Sequence, residues 1–299
     1  MAMVEDAEDP AIKALCAEGG AVLEGGRGVC LHGWCIRTQK DNILGADGIA
    51  QYEEDLKASH LPEMVFGGSR LDITHEESGI ALSFGAKDAL KGWQAEGLPP
   101  LHVQLAGEWQ NAREQTMPED LTRVEYDWTF TTGYTGSVAT RGGEEAAWEA
   151  CEGGIDRARL MRRDPILFFD EMVLYESELD DNGISQCSLK VRVMPHCWYV
   201  LLRFWLRVDN HLVRLRETRI FCPLRPVAGG GGAAAGVGRQ PVYRECTFRE
   251  GTFADLQKGG APPPTDGVYS NPDTAGQVLE AVAPVGVKRY WTERLPGEG

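Results

Sequence analysis

Between Ile184 and Cys222 the chain alternates so regularly that few folds can accommodate it. Taken with a period of two, Trp198, Val200, Leu202, Phe204, Leu206 and Val208 fall on one side, and Tyr199, Leu201, Arg203, Trp205 and Arg207 on the other. That is a strand with one dry face. Trp198, Leu201, Leu202 and Trp205 also sit at i, i+3, i+4, i+7, so period alone does not exclude a helix. The turn signal Asp209-Asn210 arbitrates, because alternation resumes beyond it with Val213, Leu215 and Glu217 against Leu212, Arg214 and Arg216, which favours a β-hairpin. Upstream, Cys187, Leu189, Val191 and Val193 alternate with Ser188, Lys190 and Arg192, and Met172 to Ser177 forms a further strand joined through Asp180-Asp181-Asn182-Gly183. The expectation is a four-stranded antiparallel meander around a long hairpin. If Val208 pairs with His211, then Trp205 faces Arg214 and Arg203 faces Arg216 on one face, and like charges directly opposite destabilise a sheet.

The same stretch carries seven Lys/Arg against two acids, a local charge of +5 in a chain of net charge -15. Two readings stay open. In one, the arginines pair with carboxylates of the protein itself, such as Asp170, Glu171, Glu176, Glu178, Asp180 and Asp181. In the other, Arg203, Arg207, Arg214 and Arg216 with Trp205 line a groove for an acidic or carboxylate-ended peptide, since guanidinium forks match carboxylates and stack on aromatics.

At 299 residues, with 42% hydrophobic and 25% charged residues, the composition is that of a globular protein with a sizeable core. The acidic balance offers no general positive field to attract nucleic acid or an anionic membrane. Apolar runs are broken by arginine far short of the roughly 20 residues a membrane span needs. The N-terminus lacks the basic and apolar regions of a signal peptide. The eight cysteines are scattered without a CxxC pair and are read as reduced thiols, which points to a cytoplasmic, or also nuclear, setting.

In chain order, residues 1–26 read as a flexible acidic and Gly-rich tail, and 27–295 as one domain with a flexible Gly/Ala-rich insertion at 223–241 and a short tail at 296–299. Within the domain, Gly28 to Thr38 reads as a strand and Asp47 to Ala58 as a helix, followed by a proline-opened apolar turn at Leu61 to Gly67. Ser69 to Thr74 and Ile80 to Phe84 read as a hairpin and Ala86 to Trp93 as a helix. Helices are also expected at Glu108 to Arg113, Glu144 to Cys151, Ile155 to Arg163 and Ala275 to Ala283, and strands at Tyr126 to Tyr134 and Val242 to Phe253; the last residues are weakly patterned. Strands grouped with helices outside them, without βαβ alternation, define an α+β protein.

No P-loop, dinucleotide fingerprint, GxSxG elbow or HExxH occurs. His75-Glu76-Glu77 lacks a second histidine four residues on. His196 and Cys197 are neighbours at a strand start and point to opposite faces. Gly229 to Gly232 has no following Lys-Ser/Thr. The carboxylates of 170–181 could serve an enzyme with a divalent cation, and the arginine face could serve a general scaffold for acidic peptides; both stand as alternatives to a dedicated regulatory binder without cofactor or metal.

Several stretches are specific enough to suggest a family. Leu61-Pro62-Glu63-Met64-Val65-Phe66-Gly67, Glu108-Trp109-Gln110, Tyr126 to Thr132, Phe168-Phe169-Asp170-Glu171, Val191 to Pro195, Leu201 to Asp209 and Glu217-Thr218-Arg219 together resemble the TIPRL family, the TOR signalling pathway regulator-like proteins. The resemblance implies layered antiparallel sheets flanked by helices. It also implies a non-enzymatic protein that binds catalytic subunits of type 2A-like serine/threonine phosphatases, in part through their acidic C-terminal tail. It carries contact roles onto Asp88 and Ile155, and onto Leu215 and Glu217 where the family has methionine and aspartate. The 223–241 insertion and the longer acidic N-terminus are further departures.

Overall fold

The computed structural model describes residues 9–58, 61–91, 133–140, 147–179, 182–224, 241–282 and 287–295. In chain order the strands are β1 (Ala21–Val22), β2 (Gly28–Leu31), β3 (Trp34–Gln39), β4 (Met64–Val65), β5 (Arg70–His75), β6 (Ala81–Gly85), β7 (Ser137–Ala139), β8 (Glu149–Ala150), β9 (Phe168–Ser177), β10 (Gly183–Met194), β11 (Cys197–Val208), β12 (Leu212–Pro223), β13 (Val242–Thr252) and β14 (Val287–Leu295). The described helices are α1 (Pro10–Ala17), α2 (Ala46–Leu56), α3 (Ala86–Leu90), α4 (Arg157–Leu160), α5 (Phe253–Lys258) and α6 (Pro272–Ala281), with a 3-10 turn at Gly267–Ser270. The strands form two antiparallel sheets: a smaller one in the order β1-β2-β3-β5-β6-β7 and a larger one in the order β4-β9-β10-β11-β12-β13-β14-β8. The α+β class with layered antiparallel sheets is thus what the chain adopts.

Alternation builds the core. The even-numbered residues of β11, from Trp198 to Val208, are buried against Val29, Leu31, Trp34, Ile36, Leu71, Ile73, Leu82 and Phe84 of the smaller sheet. At that seam Trp34 and Trp198 meet edge-on with ring centroids 5.1 Å apart, a geometry that aligns a positive ring edge with a negative face. The larger sheet therefore has an inner face toward the smaller sheet and an outer face, over part of which α5 and α6 lie.

The expected meander is present as β9 to β12, and β13 and β14 extend it. Its register differs from expectation by one residue. Val208 pairs with Leu212, so the loop is Asp209-Asn210-His211, closed by the His211 amide donating to the Val208 carbonyl at 3.0 Å, with Asn210 at φ 58°. Asparagine tolerates that left-handed conformation better than most residues. A one-residue slip turns every side chain of a strand to the other face. Arg214 and Arg216 consequently lie on the inner side, opposite Leu206 and Phe204, while Glu217 stands opposite Arg203. Where β10 begins, a Cβ on Gly183 would lie 1.9 Å from the Arg207 carbonyl oxygen, so this close approach requires glycine.

Other expectations need correction. Residues 10–22, assigned to a mobile tail, form α1 and β1, and Leu15 is fully buried; Asp9 caps the helix by accepting from the Ala11 amide at 2.7 Å. The strand expected over 28–38 is a hairpin, β2-β3, turning at His32-Gly33 with both residues at positive φ. That turn places Cys30 opposite Cys35, with Cα atoms 4.1 Å apart, and the two form a disulfide, so these cysteines are not the reduced thiols expected. Residues 149–150 are strand, not helix, and the weakly patterned C-terminus is β14. The helix at 108–113, most of the strand at 126–134, and residues 225–240 of the insertion lie outside the described residues.

Candidate binding trough on the outer face of the larger sheet

Register sorts the outer face into cross-strand rows. The first runs Phe169, Arg192, Tyr199, Phe221, Tyr243, Arg294; the second Glu171, Lys190, Leu201, Arg219, Glu245, Thr292; the third Val173, Ser188, Arg203, Glu217, Thr247, Tyr290. A fourth contains Gln186, Trp205, Leu215 and Arg249. Helices cover the fourth row and the position beyond it, where Trp205, Leu215 and the next-row Val213 pack under Phe253, Leu256, Tyr269, Ala275 and Leu279. At the other end Ile155 and Leu160 pack on Phe221 of the first row and on Met194 and Cys197 beyond it. Between these two covers lies a trough whose floor includes the partly exposed Ser188, Lys190, Leu201 and Arg219. A cavity of about 510 Å³ opens at its β9-β10 end, lined among others by Lys40, Ser188, Lys190, Arg203 and Asp273.

Glu217 is the electrostatic hub of the trough. Only 4% exposed, it accepts from Arg203 Nη2 at 2.8 Å and Nε at 3.1 Å, from Arg219 Nη2 at 2.5 Å and from Arg249 Nη1 at 3.2 Å. Burial pushes the Glu217 carboxyl up, but the charge of Arg219, the hydrogen bond and charge of Arg203, and the charge of Arg249 together outweigh it and hold it below the usual glutamate range. Two rim acids complete the network. Asp273 in the first turn of α6 pairs with Arg203 at 2.6 Å, and Glu280 on the same helix pairs with Arg249 at 2.8 Å. Their side chains are 64% and 48% exposed, unlike that of Glu217. The arrangement is a buried carboxylate fixing three guanidiniums, two of which also hold exchangeable partners at the solvent edge.

Among the residues singled out from sequence, Arg203 and Glu217 meet in this network. Ile155 borders it, its amide donating to Glu245 Oε1 at 2.9 Å. Trp205 and Leu215 share the outer face but are buried under the helices, so neither lines an open groove. Arg207 lies at the hairpin end, pairing with Asp209 at 2.7 Å and donating to the Tyr269 carbonyl at 3.3 Å. Arg214 and Arg216 belong to the opposite face: Arg214 pairs with Glu250, and the Arg216 guanidinium lies 4.7 Å from the Phe248 ring centre. Asp88 stands apart, in the first turn of α3 after β6 of the smaller sheet, accepting from Ser137 Oγ at 3.3 Å.

Arg219 and Arg249 were not singled out. Arg219 was within reach, since it lies two residues beyond Glu217 and must share its face. Arg249 was not, because its place depends on how β12 and β13 register. In the acidic stretch, Asp170 pairs with Lys40 at 2.5 Å, Glu171 with Lys190 at 3.0 Å, and Glu176 accepts from Gln186 at 2.6 Å. Among the described residues no group of three His, Cys, Asp or Glu side chains could hold a metal ion, and no helix is long and apolar enough to cross a membrane.

Fold and trough define a two-sheet α+β protein with an ion-paired, arginine-rich outer face. Residues 64–257 match the TIP41-like family, and the chain belongs to that family. It is 41% identical over 286 residues to a TIP41-like protein of Arabidopsis thaliana, covering 90% of this chain and 93% of the relative. The TIP41-like protein of Homo sapiens is 32% identical over 272 residues, 90% of this chain and 91% of its own length. A Saccharomyces cerevisiae relative named type 2A phosphatase activator TIP41 is 34% identical over 214 residues, 67% of this chain and 59% of its own length.

Proposed function

We propose that this protein regulates type 2A-like serine/threonine phosphatases by binding their catalytic subunits, and that the outer-face trough receives the subunit's acidic C-terminal tail. The phosphatase class is supported by the name of the yeast relative. The tail site is supported by one observation: Arg203, Arg219 and Arg249 converge on the single buried Glu217 while the second carboxylate partners of Arg203 and Arg249 sit exposed at the rim. An incoming carboxylate can pair with the partly exposed Arg219, and can replace Asp273 on Arg203 or Glu280 on Arg249, without uncovering a buried charge. Glu217 keeps the guanidiniums in place throughout, so little ordering cost falls on binding. Each charge-assisted hydrogen bond formed this way contributes about 1.5–3 kcal/mol.

Arg219→Gln tests the trough with little demand on the fold, because the side chain is 23% exposed and Glu217 retains two other arginines. Its expected effect is a loss of about tenfold in affinity for the intact catalytic subunit, equivalent to about 1.4 kcal/mol, and none for a subunit lacking its last residues. Equal affinity of variant and parent for the intact subunit contradicts the trough as the tail site. Equal affinity of the parent for unrelated acidic peptides would make it a general acidic-peptide scaffold instead.

A further inference from the structure

The exposed apolar side chains are not scattered evenly. Of seven large hydrophobic residues that stand exposed among the described residues, three fall within nine positions: Met161 at 77%, Ile166 at 44% and Phe169 at 49%. The segment that carries them is anchored at both ends. Its start is α4, whose Leu160 packs on the Met194–Cys197–Phe221 cluster and whose Arg159 donates to the His196 carbonyl at 3.4 Å. Its end joins β9, where the Leu167 amide donates to the Val193 carbonyl at 2.9 Å and Phe169 pairs across to Arg192. A held segment that keeps several large apolar side chains in water marks an interaction surface.

Its charge indicates what covers it. Residues 156–164 hold four arginines against two aspartates, a local charge of +2 in a chain of net charge -15. Arg157 pairs with Glu245, Arg159 with Asp156 and Arg162 with Asp164. Arg163 and Arg192 are both exposed and make no ion pair among the described residues. Unspent positive charge beside exposed apolar surface complements an acidic surface that carries apolar side chains of its own.

We infer that the Met161–Phe169 segment with Arg163 and Arg192 is a second docking surface, which takes an acidic, apolar-bearing patch on the folded body of the phosphatase catalytic subunit. The inference rests on the phosphatase reading above. It differs from the tail site in its residues: Phe169 and Arg192 form the β9-β10 end of the first row, two positions along the strands from Glu171 and Lys190, and the surface needs no C-terminal tail.

The test uses the full chain with two double variants, Ile166→Ser/Phe169→Ser and Arg163→Glu/Arg192→Glu, binding to a catalytic subunit without its C-terminal tail. Both variants are expected to bind it about tenfold or more weakly, in the range of interface anchor truncations, with melting unchanged. The charge reversal leaves packing untouched, so it tests the surface even if the apolar variant melts early. Parental affinity in both variants, with the parent binding well, overturns the second surface and leaves the phosphatase reading standing. Weakening by the apolar pair alone overturns the acidic character of the partner surface. No binding by the parent to either tailed or tailless subunit removes both readings together.

Discussion

Glu217→Ala is expected to cost the fold about 3–5 kcal/mol, the cost of removing one partner from a buried ion pair. Glu217 is 4% exposed, and the Arg203 side chain that pairs with it is only 10% exposed. Without the carboxylate, Arg203 keeps, among the described residues, only the exposed Asp273 as an acidic partner, and Arg219 loses its ion pair with Glu217. Glu217→Gln preserves volume and one acceptor oxygen while removing the charge, so its loss should be smaller. The pair also predicts a pH dependence. Because the folded Glu217 carboxyl lies below its ordinary value, its contribution is fully present above the unfolded glutamate pKa of about 4.3. It is lost as pH falls through the lower, folded value. The stability gap between parent and Glu217→Gln in urea titrations should therefore be widest near neutral pH and narrow below about pH 4. A gap that does not change with pH, or an alanine variant as stable as the parent, means the network does not hold the outer face.

Trp198→Ala should cost a comparable amount, about 3–5 kcal/mol, as a large aromatic deletion in a well-packed core. The residue is fully buried on the inner face of β11 and contacts Trp34 across the seam between the sheets. Neither indole nitrogen has a hydrogen-bond partner among the described residues. The pair thus stabilises through packing and ring geometry, and Trp198→Phe should recover much of the loss. The deletion removes contact between two layers, not support of the trough floor, so a folded Trp198→Ala protein should bind with parental affinity below its melting temperature. Denaturation and binding measured on one preparation separate these effects.

Alternation made the larger sheet legible, because a period of two sustained through a long apolar run fits a strand with one buried face and little else. Its register was not legible, since Asp209-Asn210 reads equally as a two-residue loop or as part of the observed loop of three, and the difference moves Arg214 and Arg216 to the other face. The like-charge pairing that the shorter loop imposes was itself a warning; the actual register places Glu217 where Arg216 would have stood. β14 escaped notice because Lys288, Arg289, Glu293 and Arg294 interrupt its apolar pattern, and one of these charges is used internally, Glu293 pairing with Arg244 at 2.6 Å. The Cys30–Cys35 bond needed the His32-Gly33 turn to be recognised first. Ile155 could be placed by family likeness alone, since a single isoleucine beside Gly153-Gly154 carries no local sign that it closes one end of a trough.

The most direct test of the central claim is calorimetric titration of the full chain with a type 2A phosphatase catalytic subunit, intact and then lacking its last few residues. Saturable binding to both is expected, weaker by about tenfold or more for the truncated subunit, the loss of at least one charge-assisted contact. Absence of binding to well-folded intact subunit would contradict it, and would leave the Arg203–Glu217–Arg219–Arg249 network as an internal brace of the sheet.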